Sequence, residues 1–185
     1  GSVNATAFRL WAFAYDHKVV YGLKAFKAQG MTPSTIAEQV MGYRKRHNIV
    51  SMVCDAGALG KMIVQEMNDR YSLAIKPAEK TGKNDFIELM NDDLTRGLVK
   101  VLPDDPVIAE WETLQWAEDV EKRVEDPRQD NDVSDASLYG FRESKHFRGS
   151  DPLPPVVVNT PEWYKEQESR IREAIERKAL ATAAP

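Results

Sequence analysis

The chain has 185 residues and a formal net charge of −4, with 42% hydrophobic and 29% charged residues. These totals fit a globular protein built as one domain with an appendage, or as two small domains. They exclude a membrane-spanning helix, since no run of ~18 apolar residues occurs. They also give no global attraction to nucleic acid, so any DNA contact must come from a local patch.

The chain starts with the pattern of a β-hairpin. Ala7 to Tyr15 is apolar and aromatic with Arg9 as its one charge, Asp16-His17-Lys18 is a polar break, and Val19 to Phe26 reads as an antiparallel second strand. His17, in a turn beside Asp16, reads as a solvated surface residue rather than a ligand. The N-terminus lacks the basic-then-apolar pattern of a signal peptide. Thr32-Pro33 opens a helix, with Thr as cap and Pro at the first helical position. Ile36, Val40 and Met41 recur at helical spacing towards His47. The end of this helix, Arg44-Lys45-Arg46-His47, is basic. That suits the helix dipole and leaves a DNA phosphate contact open.

Ile49 to Cys54 is a short apolar run that reads as a strand buried on both faces of an α/β sheet. Cys54 is the chain's single cysteine, expected as a buried thiol; it excludes an intramolecular disulfide and suits a reducing cytoplasm. The run ends in Asp55, where ligands gather at the carboxyl ends of strands, although a loop Asp capping the next helix gives the same pattern. Lys61 to Arg70 is helical, with Met62, Ile63, Glu66 and Met67 on one face. Leu73 to Lys76 is a short strand, Pro77 to Lys83 a loop, and Asn84 to Arg96 a helix with the stripe Phe86, Ile87, Met90 and Leu94, stopped by Gly97. Leu98 to Leu102 is another strand, and Pro106 to Trp116 has helical character. The alternation of strand and helix after residue 18 argues for a layered α/β domain.

Ala117 to Arg128 is charged and ambiguous. A helix from Asp132 onward places Asp132 and Asp135 on one side, one turn apart, where two carboxylates repel unless a cation lies between or beside them. Gly149 to Pro155 has the composition of a linker, and Val156 to Val158 could add a short strand. From Thr160-Pro161-Glu162 a charged helix runs to about Lys178 with a thin stripe of Trp163, Tyr164, Ile171 and Ile175, suited to docking on the domain or on a partner.

The carboxylates Asp55, Asp132 and Asp135 are the chemistry the chain offers. Hard divalent cations take such oxygen ligands together with water and substrate phosphate. There is no Cys/His cluster for zinc. Gly57-Ala-Leu-Gly60-Lys61-Met62 has the wrong spacing for a phosphate-binding loop, so no nucleotide cofactor is expected.

Three stretches carry a family resemblance: Ser51-Met-Val-Cys-Asp55-Ala-Gly-Ala-Leu-Gly60, Ile75-Lys-Pro-Ala-Glu-Lys80-Thr-Gly-Lys83, and Asp130-Asn-Asp132-Val-Ser-Asp135-Ala-Ser-Leu-Tyr139. In this order and spacing the chain resembles the C-terminal nuclease domain of tailed-phage terminase large subunits, the DNA-packaging motor, over about residues 5 to 145. The resemblance implies an α/β, RNase H-like mixed β-sheet flanked by helices, shared with RuvC-type resolvases, over residues 1–148. The linker and charged C-terminal helix then follow over residues 149–185. It implies a metal-dependent endonuclease that cuts concatemeric DNA by two-metal hydrolysis, with Asp55, Asp132 and Asp135 as catalytic ligands of Mg²⁺ or Mn²⁺. Lys80 and Lys83 would contact the DNA backbone, although solvated loop lysines read the same way. The implied partners are double-stranded DNA, the portal and the small terminase subunit, without a membrane, in the cytoplasm of an infected bacterial host. A RuvC-like resolvase and a non-catalytic docking module of the packaging motor remain as alternatives.

In the family the first catalytic Asp lies on a central strand just before the hairpin, between it and the Asp55 strand. The chain starts at Gly1-Ser-Val-Asn4, so this strand and its acid are expected to be absent, and the site incomplete. Asp16, at the far hairpin turn, is no substitute. Unpaired buried backbone groups cost roughly 1–3 kcal/mol each, so the gap should close. Either Val156–Val158 inserts, or the hairpin moves to pair directly with the Asp55 strand, the second being favoured because three residues are short for a central strand.

Overall fold

The computed structural model describes residues 5–57, 60–118 and 123–149, together with residues 160, 161, 164, 165, 167, 168 and 172. The chain divides into two compact units, Gly1–Ser150 and Asp151–Pro185. In the second, the described residues from 161 onward are helical. An i,i+4 pair joins Arg172 to Glu168 at 3.5 Å, and Tyr164 is exposed. Trp163, Ile171, Ile175 and Val156–Val158 lie outside the described residues.

The first unit is a mixed α/β structure. Strand β1 (Ala5–Phe13) pairs antiparallel with β2 (Val20–Gln29), and β2 pairs in parallel with β5 (Val99–Val101), giving the order β1-β2-β5. A second sheet holds β3 (Val53–Cys54) parallel to β4 (Lys76–Pro77). The helices are α1 (Pro33–Arg46), α2 (Gly60–Tyr71), α3 (Lys83–Thr95), α4 (Val107–Thr113) and α5 (Asp132–Ser144). No helix among the described residues is long and apolar enough to cross a membrane.

Helix α5 is the common support of both sheets. It lies against β1 and β2 on one side and touches β3 on the other. The approach to β1 is close enough that a Cβ on Gly140 would meet the Trp11 ring at 2.5 Å, so only glycine fits there. Trp11 in turn donates its indole N–H to the Ser137 carbonyl at 3.0 Å. Val20, Met90, Val99, Leu138 and Phe141 form the core beneath, and the stripe of α3 packs on it through Phe86, Ile87 and Leu94. Across α1 and α2 a separate core gathers Ala37, Val64, Met67, Leu73 and Ile75. Thr32 and Thr35 form the capping box of α1.

Several expectations are corrected here. The hairpin does not pair with the Asp55 strand: among the described residues β1 pairs only with β2, and β3 only with β4. The six-residue strand expected at Ile49–Cys54 shrinks to two residues. Among the described residues it has a neighbour on one side only, and Val50 and Cys54 are exposed rather than sandwiched. Crowding by neighbouring groups and the Asp55 charge nevertheless push the Cys54 thiol pKa up. The strand expected at Leu73–Lys76 starts only at Lys76, because Ser72 and Ala74 take positive φ angles of 51° and 56°. The Asn68 amide meanwhile occupies both the N–H and the C=O of Ile75, at 2.8 Å each, which removes them from a ladder. On α2, Val64 and Met67 turn inward while Met62, 74% exposed, and Ile63 face outward, since this helix packs on one side only. His17, read as a surface residue, is half-buried.

Candidate functional site

The first turn of α5 carries two of the predicted acids, and its position is set by a buried network. The Glu110 carboxylate of α4 accepts hydrogen bonds from the backbone N–H groups of Val133 and Ser134 at 3.2 and 2.7 Å. Those amides have no partner within the helix, and a carboxylate there also meets the positive end of the helix dipole. Asp105 caps Val107 at 3.1 Å and receives Arg9 in a two-pronged pair, at 2.5 and 2.8 Å, with side chains only 1% and 2% exposed. Arg9 Nε also donates to Ser137 Oγ at 2.9 Å, so strand β1, the start of α4 and helix α5 share one network.

From that frame the acids diverge. Asp132 turns to β2, where its Oδ2 lies 2.7 Å from Lys27 Nζ; Asp130 shares the same ammonium at 3.2 Å. The hydrogen bond with Asp132 leads the causes that raise the Lys27 pKa, against its partial desolvation. Asp135 turns to the start of α3, where its Oδ1 lies 2.6 Å from Lys83 Nζ. The predicted repulsion between the two aspartates is thus relieved by a separate lysine for each.

Asp55 leaves the end of β3 and accepts the Gly57 N–H at 2.9 Å, closing a local turn. The same Oδ1 lies 2.6 Å from Lys80 Nζ. Asp55 and Asp135 are within electrostatic reach of each other: burial raises the Asp135 pKa, Lys83 opposes this, and the charges of Glu125 and Asp55 add to it. Tyr139 is raised by burial first, then by the charges of Asp135 and Asp55.

Lys80 and Lys83, read from the sequence as DNA contacts or solvated lysines, are both held against acids. Their loop is fixed by α5. Arg142 donates to the Thr81 carbonyl at 2.7 Å and lies 3.9 Å over the Phe86 ring. Gly82, at φ 68°, makes the left-handed turn into α3 that brings Lys83 to face Asp135. Desolvation lowers the Lys83 pKa, but its hydrogen bonds to Asp135 and Glu125 outweigh this and the net direction is up.

Glu125 is the group that sequence reasoning missed. It sits in the charged stretch that showed no periodicity, yet its Oε2 lies 2.5 Å from Lys83 Nζ and accepts from Asn131 Nδ2 at 2.9 Å. Tyr139 and Arg142 carried a signal that could have been read, since they follow Asp135 at the i+4 and i+7 positions of one helix face. Asp55 and Asp135 offer hard carboxylate oxygens, the donor type suited to Mg²⁺ or Mn²⁺ when water and phosphate complete the shell. Among the described residues no three His, Cys, Asp or Glu side chains are grouped closely enough to hold an ion by themselves.

A family model described as Terminase RNaseH-like domain matches residues 4–142. Solved structures of phage large terminases share the fold. The bacteriophage SPP1 g2p nuclease domain with bound Mn has a TM-score of 0.57 at 16% identity, covering 78% of this chain and 81% of that one. The large terminase nuclease of thermophilic phage G20c with bound cobalt scores 0.56 at 13% identity, covering 75% and 81%. The large terminase of another thermophilic bacteriophage scores 0.66 at 17% identity, and the match covers 80% of this chain but only 38% of that longer one. A comparison with curated proteins gave no match.

Proposed function

Because the chain belongs to the terminase RNaseH-like domain family, with the fold of phage large-terminase nuclease domains, we propose that it is a metal-dependent DNA endonuclease domain that cuts concatemeric phage DNA during packaging. What supports this reading is that Asp55 at the end of β3 and Asp135 in the first turn of α5 lie within reach of each other's charge, each with a lysine of the same segment, Lys80 or Lys83, 2.6 Å away. The manganese and cobalt bound in two relatives support a divalent ion as cofactor, Mg²⁺ or Mn²⁺ by the donor chemistry of the carboxylates.

A divalent cation bound there supplies Lewis-acid stabilisation of the attacking and leaving oxygens of a phosphodiester. The chain's own residues do the rest. Asp55 and Asp135 present carboxylate oxygens. Asp132, one turn away, stands in reserve on Lys27 as the remaining acid of the proposed set. Lys80 and Lys83, at the entry to α3, would meet phosphate oxygens once Asp55 and Asp135 turn to the cation. The substrate is double-stranded DNA, the partners are the portal and the small terminase subunit, and the setting is the cytoplasm of the infected host.

The test is plasmid nicking with Mg²⁺ or Mn²⁺, on this chain and on one extended upstream of Gly1. Metal-dependent nicking abolished by Asp55→Asn and by Asp135→Asn is expected. Metal-independent nicking, or full activity in both variants, rejects the reading. A non-catalytic docking module is the second reading, favoured by the absence of a three-ligand cluster among the described residues; it expects no cleavage from either chain.

A further inference from the structure

Lys83 has two carboxylate partners where one would neutralise it. Its ammonium stands 2.6 Å from Asp135 Oδ1 and 2.5 Å from Glu125 Oε2. The second partner is not a wandering surface acid. The Glu125 side chain is 14% exposed, and Asn131 holds the same Oε2 from the other side at 2.9 Å. Its backbone is pinned to the segment before it by an antiparallel bridge between Trp116 and Glu125, with Ala117 N–H to Val124 O and Asp126 N–H to Gln115 O both at 2.8 Å. It is pinned to α3 as well: Asn84, the residue after Lys83, donates to the Arg123 carbonyl at 2.8 Å, and Arg123 pairs with Glu88. Glu125 and Lys83 are therefore set opposite each other by the backbone, independently of Asp135.

We propose that Glu125 is a positioning residue of this site: it holds Lys83 as a counter-cation that Asp135 shares in the resting chain and can surrender when a divalent cation arrives. The inference rests on the metal reading given above. The physical reason is the penalty for stranding a charge. Lys83 is half covered, and an ammonium that loses its only partner in such a place is strongly disfavoured. With Glu125 in position, Asp135 can turn its oxygen to a divalent cation while Lys83 stays paired through Glu125. Without Glu125, Asp135 is the sole partner of Lys83, and cation binding must break that pair outright. Lys83 is then the device by which the metal site and the phosphate-facing loop are coupled, and Glu125 sets how readily it lets go.

The consequence is a specific pattern of coupling in Mn²⁺ affinity, read by calorimetry or by the spin resonance of free Mn²⁺. Glu125→Gln should weaken Mn²⁺ binding by about 10- to 100-fold, the range found when a group supporting a metal ligand is removed. Lys83→Met should tighten it by roughly tenfold, because Asp135 is released from its ion pair. In the Lys83→Met background, Glu125→Gln should change the affinity by no more than about threefold, the residue of long-range charge alone. Asn131→Ala, which removes only the brace on Glu125, should shift affinity in the same direction as Glu125→Gln and likewise fall silent with Lys83→Met. Glu125→Asp should restore part of the loss.

A loss from Glu125→Gln that persists undiminished in the Lys83→Met background makes Glu125 a direct ligand and overturns the positioning role. Unchanged affinity in both Glu125→Gln and Asn131→Ala overturns it as well. If Mn²⁺ binds neither the wild-type chain nor any variant, or binds identically after Asp55→Asn and Asp135→Asn, the metal reading itself fails and takes this inference with it.

Discussion

The two halves that meet on α5 are built very differently. On one side β1 and β2 pair along nine residues, β5 extends the sheet, and buried Val20, Val99, Leu138 and Phe141 lie beneath. On the other side β3 and β4 pair over two residues each, and their small core lies between α1 and α2, with Met62, Ile63 and Val50 left exposed. The first half is fastened to α5 by the covered Arg9–Asp105–Ser137 network. The second is tied to it by Glu143, which accepts from Ser51 Oγ at 2.6 Å and from Lys76 Nζ at 3.3 Å. Asp132, Asp135 and Glu125 belong to the well-fastened half, and Asp55 to the other. The proposed site thus has one rigid bank and one loosely moored bank, and local stability should follow that division.

The largest expected effect tests the rigid bank. Arg9→Met strands Asp105 in a dry place, which should cost about 3–5 kcal/mol. Urea melts should show it, and exchange of the β1 and β2 amides should accelerate with global unfolding. A loss below about 1 kcal/mol would mean that the network adds little to the sheet. Glu110→Ala comes next, at about 1–3 kcal/mol, since it leaves two buried amides of α5 without an acceptor. The Val133 and Ser134 amides should exchange faster, and a change confined to other helices would contradict the capping role.

Glu143→Gln probes the looser mooring. Desolvation raises the Glu143 carboxyl pKa, but hydrogen bonds from Ser51 and Lys76 and the lysine charge outweigh it, and the net direction is down. Removing the charge should cost about 1 kcal/mol, with faster exchange confined to the β3–β4 side. Equal acceleration in β1 and β2 would erase the distinction between the halves. The smallest effect is a matter of pH. Two-pronged bonding from Arg128 lowers Asp126 from 3.8 to about 2. A depressed acid contributes stability that is present above its unfolded pKa and is lost as pH falls through the folded one. Asp126→Asn should therefore flatten the stability profile between about pH 4 and pH 2. The wild-type advantage should hold constant above about pH 5 and vanish below about pH 2. An advantage that persists unchanged through that acid window would contradict the assignment.

Local sequence rules carried the elements whose causes are themselves local. The Thr32-Pro33 start of α1 and the α3 stripe from Phe86 to Leu94 follow from a cap and from helical spacing, which act within a turn or two. The three motifs around Asp55, Lys80 and Asp132 likewise led to the family and the α/β fold, because order and spacing along the chain are linear information. Tertiary structure decided the rest. Strand length at Ile49–Cys54 depended on a neighbour that only folding could supply or withhold, and hydrophobicity reports a preference for burial, not a partner. The separation of β1 from β3 was hidden for the same reason. Which lysine neutralises which aspartate was also beyond reach, since Lys27, Lys80 and Lys83 reach their acids from β2, from the loop before α3 and from the first residue of α3, across distances in sequence that no periodicity spans. Glu125 was the least legible of all: nothing in its own stretch sets it apart, and its role comes from an ammonium that α3 brings to within 2.5 Å of it.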